Sequence, residues 1–433
     1  MYAPLLVSVI LMVILLFAGV PVAVSLSAGG LVGLYLAFGS SALITVAQTM
    51  SSTINSFLLL AIPLFILMGV ILGKSDIGAK IYKVFDVFLR HIPGGLAVAT
   101  IFTCAILAAM IGTSVAVAAM VGSFALTNLT KYGYKLPLSL GAIAAGGALG
   151  ILIPPSVAMI IYGAISMESV GKLFISGILP GLIAVGLFSA YIIVTCALDK
   201  NAKKAQKASW GERWQALKEG IWALLIPLFI IIPLYLGIAT PTEVAVIGIF
   251  WSLIVGLFIY KSLKFRDLPG IFMEGMDSSV MVLFIVCGAM VFGNAATQLG
   301  LPEMIKEVTL RLTNPLYFVI GTIFIMLILG MFIEGASIML ICLPLFLPTL
   351  ISLHVPLIWY AVIMVMSIEI GLLTPPVGLN IYAVDGVAKA MGLKSTLNIA
   401  IKGTVPFMLI YLCAVLLVLL FPKLTLWLPA LMQ

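Results

Sequence analysis

The sequence predicts an all-α polytopic membrane protein built from two inverted repeats, each with a re-entrant hairpin and a broken helix. Three observations carry that expectation: the composition, the placement of the basic residues, and two Pro-Pro breaks in matching contexts. Of 433 residues, 63% are hydrophobic and 9% are charged. Soluble domains carry about 25% charged residues, so this chain could not cover a water-facing surface. Apolar stretches long enough to cross a bilayer as helix, about 20 residues each, recur from end to end. The short alternating segments of a membrane β-barrel do not stand out.

The N-terminus lacks the basic region of a cleavable signal peptide, since no Asp, Glu, Lys, Arg or His precedes Lys74. Cys104, Cys196, Cys287, Cys342 and Cys413 lie singly in apolar segments without a CxxC pair. They read as packing residues. His91 and His354 are far apart near segment ends, which gives a His-based metal site little support.

The net charge of +7 resembles a nucleic-acid signal until the charges are placed. Between apolar segments, 74–95 holds four Lys and Arg, 129–136 two, 199–220 six, 260–277 three and 385–402 three, together 18 of the 22. Such clustering marks cytoplasmic loops, and no nucleic-acid partner is expected. The stretch from Asp199 to Gly220 reads as a helical connector at the cytoplasmic surface.

Counting from these loops sets the topology. Residues 96–128 return to the same side with small polar residues midway, which suits a re-entrant hairpin turning at Gly112-Thr113-Ser114. Residues 137–165 cross outward, 177–198 return, 222–238 cross outward, 243–260 return and 278–297 cross outward. Residues 316–333 and 338–352 form a second hairpin, from outside, turning at Glu334-Gly335-Ala336-Ser337. Residues 357–384 cross inward and 403–421 cross out. The uncharged first 73 residues are expected to hold two or three spans. The resulting division is N-terminal scaffold helices over 1–54, a first repeat over 55–198, connector and scaffold helices over 199–277, and a second repeat over 278–433.

The two halves match in four places in the same order. "LFILMGVILG" (64–73) parallels "LFIVCGAMVFG" (283–293), and Gly112-Thr113-Ser114 parallels Gly335-Ala336-Ser337. "GILIPPSVAMIIY" (150–162) parallels "GLLTPPVGLNIY" (371–382), and Gly177 to Pro180 parallels Gly403 to Pro406. With one hairpin entering from each side, the repeat is inverted. Inverted repeats with broken helices point to alternating access around a site near the bilayer midplane.

A proline removes a backbone donor and blocks the preceding turn. Unpaired backbone groups in hydrocarbon cost several kcal/mol each, so such breaks persist only where buried or lining a cavity. Their carbonyls and hydroxyls are hard oxygen ligands that suit Na⁺, while exposed helix N-termini suit an anionic solute. Gly112, Thr113, Ser114 and the 150–156 bend form one candidate set. Gly335, Ser337 and residues 371–376 form the other. Small residues also serve helix packing, but two repeat-related breaks, each paired with a hairpin tip, favour ion sites. Glu243, Glu334 and Glu369 lie in or at the ends of apolar segments, where carboxylates are functional candidates. Glu243, after Thr240-Pro241-Thr242, reads as a helix cap. For Glu334 and Glu369, capping or packing stands beside proton relay or cation attraction.

The motifs "GTSVAVAA", "GALGILIPPSVAMIIYG", "FISGILPG", "GIATPTEVAVIG" and "EIGLLTPPVGLNIY" resemble the large membrane subunit of tripartite ATP-independent periplasmic (TRAP) transporters. The resemblance runs from "GVPVAVSL" at 19–26 to the C-terminus. Thr113 departs from the family's frequent Ser after the hairpin glycine but keeps the hydroxyl. The resemblance implies Na⁺-driven import of a carboxylate solute across the bacterial inner membrane by an elevator motion. It further implies a small four-helix membrane subunit and a periplasmic solute-binding protein as partners. Carried over by motif, Gly112, Thr113, Ser114, Gly150 and Ile153 would hold one Na⁺, and Gly335, Ser337, Gly371 and Thr374 another. Ser156 and Asn380, just beyond the breaks, are the candidates for solute contact. The family handles C4-dicarboxylates, sialic acids and keto acids, and "PPSVAMIIYG" leans toward the sialic-acid members. The rivals are a stand-alone sodium–carboxylate symporter and an intramembrane enzyme. The enzyme would need a nucleophile–base pair or paired aspartates at membrane depth, and neither is found.

Overall fold

In the computed structural model, residues 3–199, 207–301, 303–304 and 314–432 are described. They form helices and connecting turns, with no strand among them. Four segments cover the uncharged N-terminal region: α1 (Ala3–Phe17), α2 (Val22–Phe38), α3 (Ser41–Ile54), and a 3₁₀ turn (Phe57–Leu60) leading into α4 (Ala61–Lys74). Three of the four are apolar enough to enter a bilayer; α3, rich in Ser and Thr, is not among them. By length and composition only Phe57–Lys74 among them qualifies as a span, α1 and α2 being apolar but shorter.

The stretch 74–95, expected as a loop, contains α5 (Ile77–Leu89). Ile77, Ile81, Val84 and Val87 recur at helical spacing and are buried, while Lys80 and Lys83 face outward. Counting charge alone missed this amphipathic period. Next come the two arms of the first hairpin, α6 (Gly95–Ile111) and α7 (Ser114–Lys131). The first broken helix is α8 (Leu136–Gly147) followed by α9 (Val157–Ser166), and α10 (Val170–Leu198) returns across.

The described part of the connector is helical from Trp210 and runs without interruption into a span, α11 (Trp210–Tyr235). Residues 200–206 of that connector lie outside the described residues, as does most of the outer loop expected at 298–315. α12 (Pro241–Ile254) ends in one π turn, and α13 (Leu268–Gln298) is longer than the span expected from hydropathy. The second hairpin is α14 (Pro315–Gly330) and α15 (Gly335–Ser352), and the second broken helix is α16 (Leu357–Leu372) and α17 (Leu379–Ala390). α18 (Leu397–Leu420) and a short α19 (Lys423–Ala430) close the chain. Among the described residues, seven helices are long and apolar enough to cross a membrane.

These elements pack as two groups. α1–α4 and α11–α13 lie against one another as an outer frame. Hairpins, broken helices and α18 form the inner group, and α10 touches α6, α9, α16 and α18 within it. The inner group is interlocked across the repeats. α9, beyond the first break, packs on the second hairpin's α15, and α17, beyond the second break, packs on the first hairpin's α7. The face that carries the basic stretches 74–95 and 199–220 is clamped by ion pairs: Lys80 and Lys83 each reach Glu219 at 3.0 Å, and Arg90 reaches Glu212 at 2.8 Å. All five cysteines are free thiols, four of them buried.

Glycines set the closest helix approach. α18 crosses α8 where Gly403 meets Pro137 and Gly141. A methyl group on Gly403 would stand 1.9 Å from the Pro137 carbonyl oxygen. Backbone cannot yield as a side-chain tip can, so Gly403→Ala is expected to destabilise by about 1–3 kcal/mol or more. Gly386 in α17 is exposed with nothing within 4 Å of such a methyl, so Gly386→Ala should stabilise by about 0.5–1 kcal/mol. Thermal unfolding of the detergent-purified chain checks both, with shifts of opposite sign.

Candidate functional site

The tip of the first hairpin is two residues long. Gly112 ends α6 in the left-handed region (φ 73°), and Thr113 is extended and caps α7. The positive φ favours glycine at this turn. This tip sits directly on the first break: a methyl on Gly150 would lie 2.7 Å from Ser114 Cα, and one on Gly112 would lie 3.3 Å from the Pro155 carbonyl oxygen. The break itself leans on α10, where Gly177 leaves room for the Leu152 carbonyl. Tyr411 of α18 donates to the Ala148 carbonyl at 3.3 Å.

The second hairpin has a four-residue turn, Met331 to Glu334, so the helix already begins at Gly335. This corrects two expectations. The turn does not lie at Glu334-Gly335-Ala336-Ser337, and Gly112-Thr113-Ser114 is not the counterpart of Gly335-Ala336-Ser337. By helix position Thr113 corresponds to Glu334, the two capping residues. Sequence matching favoured the Gly-x-Ser triplets because identical letters outscore a Thr–Glu pair with the same backbone role. The second tip also rests on its own break, with the Gly378 N–H donating to the Met331 carbonyl at 3.2 Å. Gly330 and Gly371 meet so closely that a methyl on either would stand 2.6 Å from the other's Cα.

The two halves meet at Glu369. This side chain, in α16 two residues before Gly371, is fully buried. Its Oε1 accepts from the Ser114 hydroxyl at the first hairpin tip and from the Ile151 N–H in the first break, the latter at 3.3 Å. Its Oε2 has no hydrogen-bond partner among the described residues. Ile151 also reaches the second tip, with its Cδ1 3.3 Å from where a methyl on Gly335 would be. One polar contact and one apolar contact thus bring the two tips and the first break together.

A cavity of about 860 Å³ opens where this assembly faces the outer frame. Thr113, Ser114 and Ile151 line it from the first repeat, Glu334 to Ser337 from the second, and α2, α4 and α13 from the frame. The ion pair Lys74–Glu274, 2.9 Å apart and half exposed, belongs to its wall.

A cavity between two hairpin tips and a frame belongs to transporters with inverted repeats, and comparison with known proteins agrees. The family described as "Tripartite ATP-independent periplasmic transporter, DctM component" matches residues 9–424. The chain belongs to this family. The C4-dicarboxylate TRAP transporter large permease protein DctM of Pseudomonas aeruginosa is 34% identical, covering 91% of each chain. The protein of that description from Vibrio cholerae is 32% identical over 98% of this chain and 97% of its own. The sialic acid TRAP transporter large permease of Vibrio cholerae is 31% identical over 96% of both. In fold, the chain is similar to the YdaH transporter of Alcanivorax borkumensis, with a TM-score of 0.65 over 89% of this chain and 90% of that one. At 16% identity that likeness concerns architecture alone. The chain is therefore a multi-pass TRAP permease, a transporter and not an enzyme.

Within this permease, the motif residues take different places. Thr113, Ser114, Gly335 and Ser337 line the cavity. Gly112, Gly150 and Gly371 are buried contact points between tip and break. Ile153 packs against α10 at Gly181. Thr374 turns its hydroxyl back to the Ile370 carbonyl at 2.6 Å. Ser156 and Asn380 lie off the cavity and are fully buried. Ser156 caps α9 by accepting from the Met159 N–H, whereas both polar atoms of the Asn380 amide lack partners among the described residues. The frame side of the cavity is lined from the stretches 19–26, 64–73 and 283–293, which the sequence marked as motifs without assigning them to a site. Tyr411, one tyrosine among 13, had no motif to announce it.

The glutamates separate by geometry. Glu243 forms a capping box with Thr240, accepting from the Thr240 N–H at 2.7 Å, as expected. Glu334 caps α15 by accepting from the N–H groups of Ala336 and Ser337 at 3.1 and 3.2 Å. Glu334→Ala removes the N-cap of α15 and should cost about 0.5–2 kcal/mol in thermal unfolding, while Glu243→Ala removes the exposed N3 partner of the Thr240 cap and should destabilise in the same direction. Only Glu334 lines the cavity, so solute uptake should fall in Glu334→Ala and persist in Glu243→Ala.

Proposed function

We propose that this permease uses the inward Na⁺ gradient to import a carboxylate solute across the bacterial inner membrane, by elevator-type alternating access. The observation that carries the reading is the cavity that touches both hairpin tips on one wall and the frame on the other. A solute held there is bounded by a group that can move, α6–α9 with α14–α18, and by one that can stay, α1–α4 with α11–α13. Lys74 lies in the cavity wall, and the basic loops place its end of α4 in the cytoplasm, which supports an inward-facing state.

Two Na⁺ sites are assigned to the tips. Ser114 and Thr113 with the 150–153 backbone serve the first, and Ser337 and Gly335 with the 371–374 backbone serve the second. Hydroxyl and carbonyl oxygens suit a hard monovalent ion, and the N-termini of α7 and α15 face the same cavity as those hydroxyls. A carboxylate solute would meet these N-termini, the hydroxyls and the bound cations. Relatives named for C4-dicarboxylates and for sialic acid are both similar to this chain, so succinate and a sialic acid are the first solutes to test. Asn380, with its unpaired buried amide, is the stronger of the two candidates for solute contact and Ser156 the weaker; both lie off this cavity and would meet the solute only in another state of the transport cycle. A small four-helix membrane subunit and a periplasmic binding protein would complete the system.

Proteoliposomes containing all three components decide the matter. Uptake of succinate or sialic acid should require an inward Na⁺ gradient and vanish when an ionophore collapses it. Uptake indifferent to Na⁺ would remove the symport reading, and uptake by the permease alone would favour a stand-alone symporter. Ser337→Ala should raise the Na⁺ concentration for half-maximal uptake about tenfold, equivalent to about 1.4 kcal/mol of ion binding.

A further inference from the structure

Ser114 at the first hairpin tip and Ser337 in the first turn of α15 share one arrangement. Each gives its hydroxyl proton to a glutamate. Ser337 donates to Glu334 Oε2 at 3.3 Å, within its own helix cap. Ser114 donates to Glu369 Oε1, which comes from the opposite repeat. A hydroxyl whose proton is committed to a carboxylate turns only its lone pairs elsewhere. For Ser114 and Ser337, elsewhere is the cavity that both of them line, while Glu369 stands behind Ser114 and outside that lining.

The surroundings of Glu369 supply no charge to balance its own. It is fully buried, its Oε2 is unpartnered, and none of the ion pairs among the described residues includes it. Its titratable neighbours are Glu334 and Tyr411, neither of them a cation. An ionised carboxylate buried without a counter-charge is costly. A cation on the far side of Ser114 relieves that cost through the polarised hydroxyl, just as outer-sphere carboxylates orient and strengthen metal ligands elsewhere.

We propose that Glu369 is the positioning residue for the Na⁺ at the first hairpin: it commits the Ser114 proton, aims the oxygen lone pairs at the ion, and ties ion occupancy there to the second repeat. The proposal rests on the Na⁺-coupled reading above. The tie is mechanical as well as electrostatic, because Glu369 lies two residues before Gly371, whose Cα packs on Gly330 of the second hairpin. An ion arriving at one tip therefore acts on the broken helix that supports the other.

Binding of radiolabelled Na⁺ to the full-length purified chain, in a K⁺ background, tests this without any solute or partner. Glu369→Gln keeps the shape and an acceptor but removes the charge, and Ser114→Ala removes the proton donor. Each should weaken Na⁺ affinity about 10-fold to 100-fold. The double variant should be weakened by clearly less than the product of the two, because both act on one hydroxyl. Wild-type affinity in Glu369→Gln, or a fully multiplicative double variant, overturns the proposal. Thermal unfolding in Na⁺-free buffer identifies a variant that does not fold. In that event Glu369→Asp, which keeps the charge but withdraws it from Ser114, is measured beside Ser114→Ala; wild-type affinity in both would overturn the proposal equally. A wild-type chain that binds no Na⁺ defeats the symport reading itself. That outcome is distinct from one in which the wild type binds Na⁺ and the Glu369→Gln variant binds it equally well.

Discussion

Backbone that leaves its helix inside a bilayer has no water to turn to, and this constraint organises the inner half of the molecule. Each Pro-Pro break loses donors as well as helix geometry, and each is answered by a hairpin tip placed directly on it. The first break gives the Ile151 N–H to Glu369 and receives Tyr411 at the Ala148 carbonyl. The second gives the Gly378 N–H to the Met331 carbonyl. Glycine recurs at these junctions because main chain must approach main chain there. Gly150 against Ser114, Gly371 against Gly330 and Gly177 against Leu152 leave no room for a Cβ. A hairpin that shields a break also brings its helix N-terminus to the same place, so satisfying the backbone and turning a helix N-terminus to the cavity are one act of folding.

The symmetry that produces two such junctions is not kept in their chemistry. Both tip serines donate to a carboxylate, but one carboxylate caps its own helix at the cavity wall and the other is buried in the opposite repeat. That difference ties the serine of the first tip to the second half of the chain and leaves Ser337 bonded within its own helix cap. The ion pairs between α5 and α11 are of another kind. Lys80, Lys83 and Glu219 are a third to a half exposed, and pairs in that setting contribute roughly 0–1 kcal/mol each. They hold α5 against α11 in the frame and take no part in the cavity.

Much of this was legible in the residues themselves, and particular ones show why. Hydropathy and loop charge located both hairpins and both breaks, because a span needs length and a cytoplasmic loop needs Lys or Arg. Charge alone concealed α5, whose Lys80 and Lys83 made an amphipathic helix look like a loop. The register of the hairpins was misjudged by matching Gly-x-Ser triplets, since backbone role follows capping position and not the identity of nearby letters. Glu369 stood out as an acid in an apolar run, yet nothing adjacent in sequence named its partner.

What the sequence determined by itself is therefore the set of local facts: which segments are apolar, where prolines forbid a helix, which ends are basic, and that the pattern occurs twice. Motifs compact enough to be read as strings placed the chain in its family on the same basis. The tertiary structure alone decided that Ser114 and Glu369, 255 residues apart, share one proton, that Ile151 touches the second tip, and that α2, α4 and α13 close the cavity. These contacts depend on the angle and depth at which helices cross. Those are set by glycine-sized clearances summed over many packed pairs, and no single segment records them.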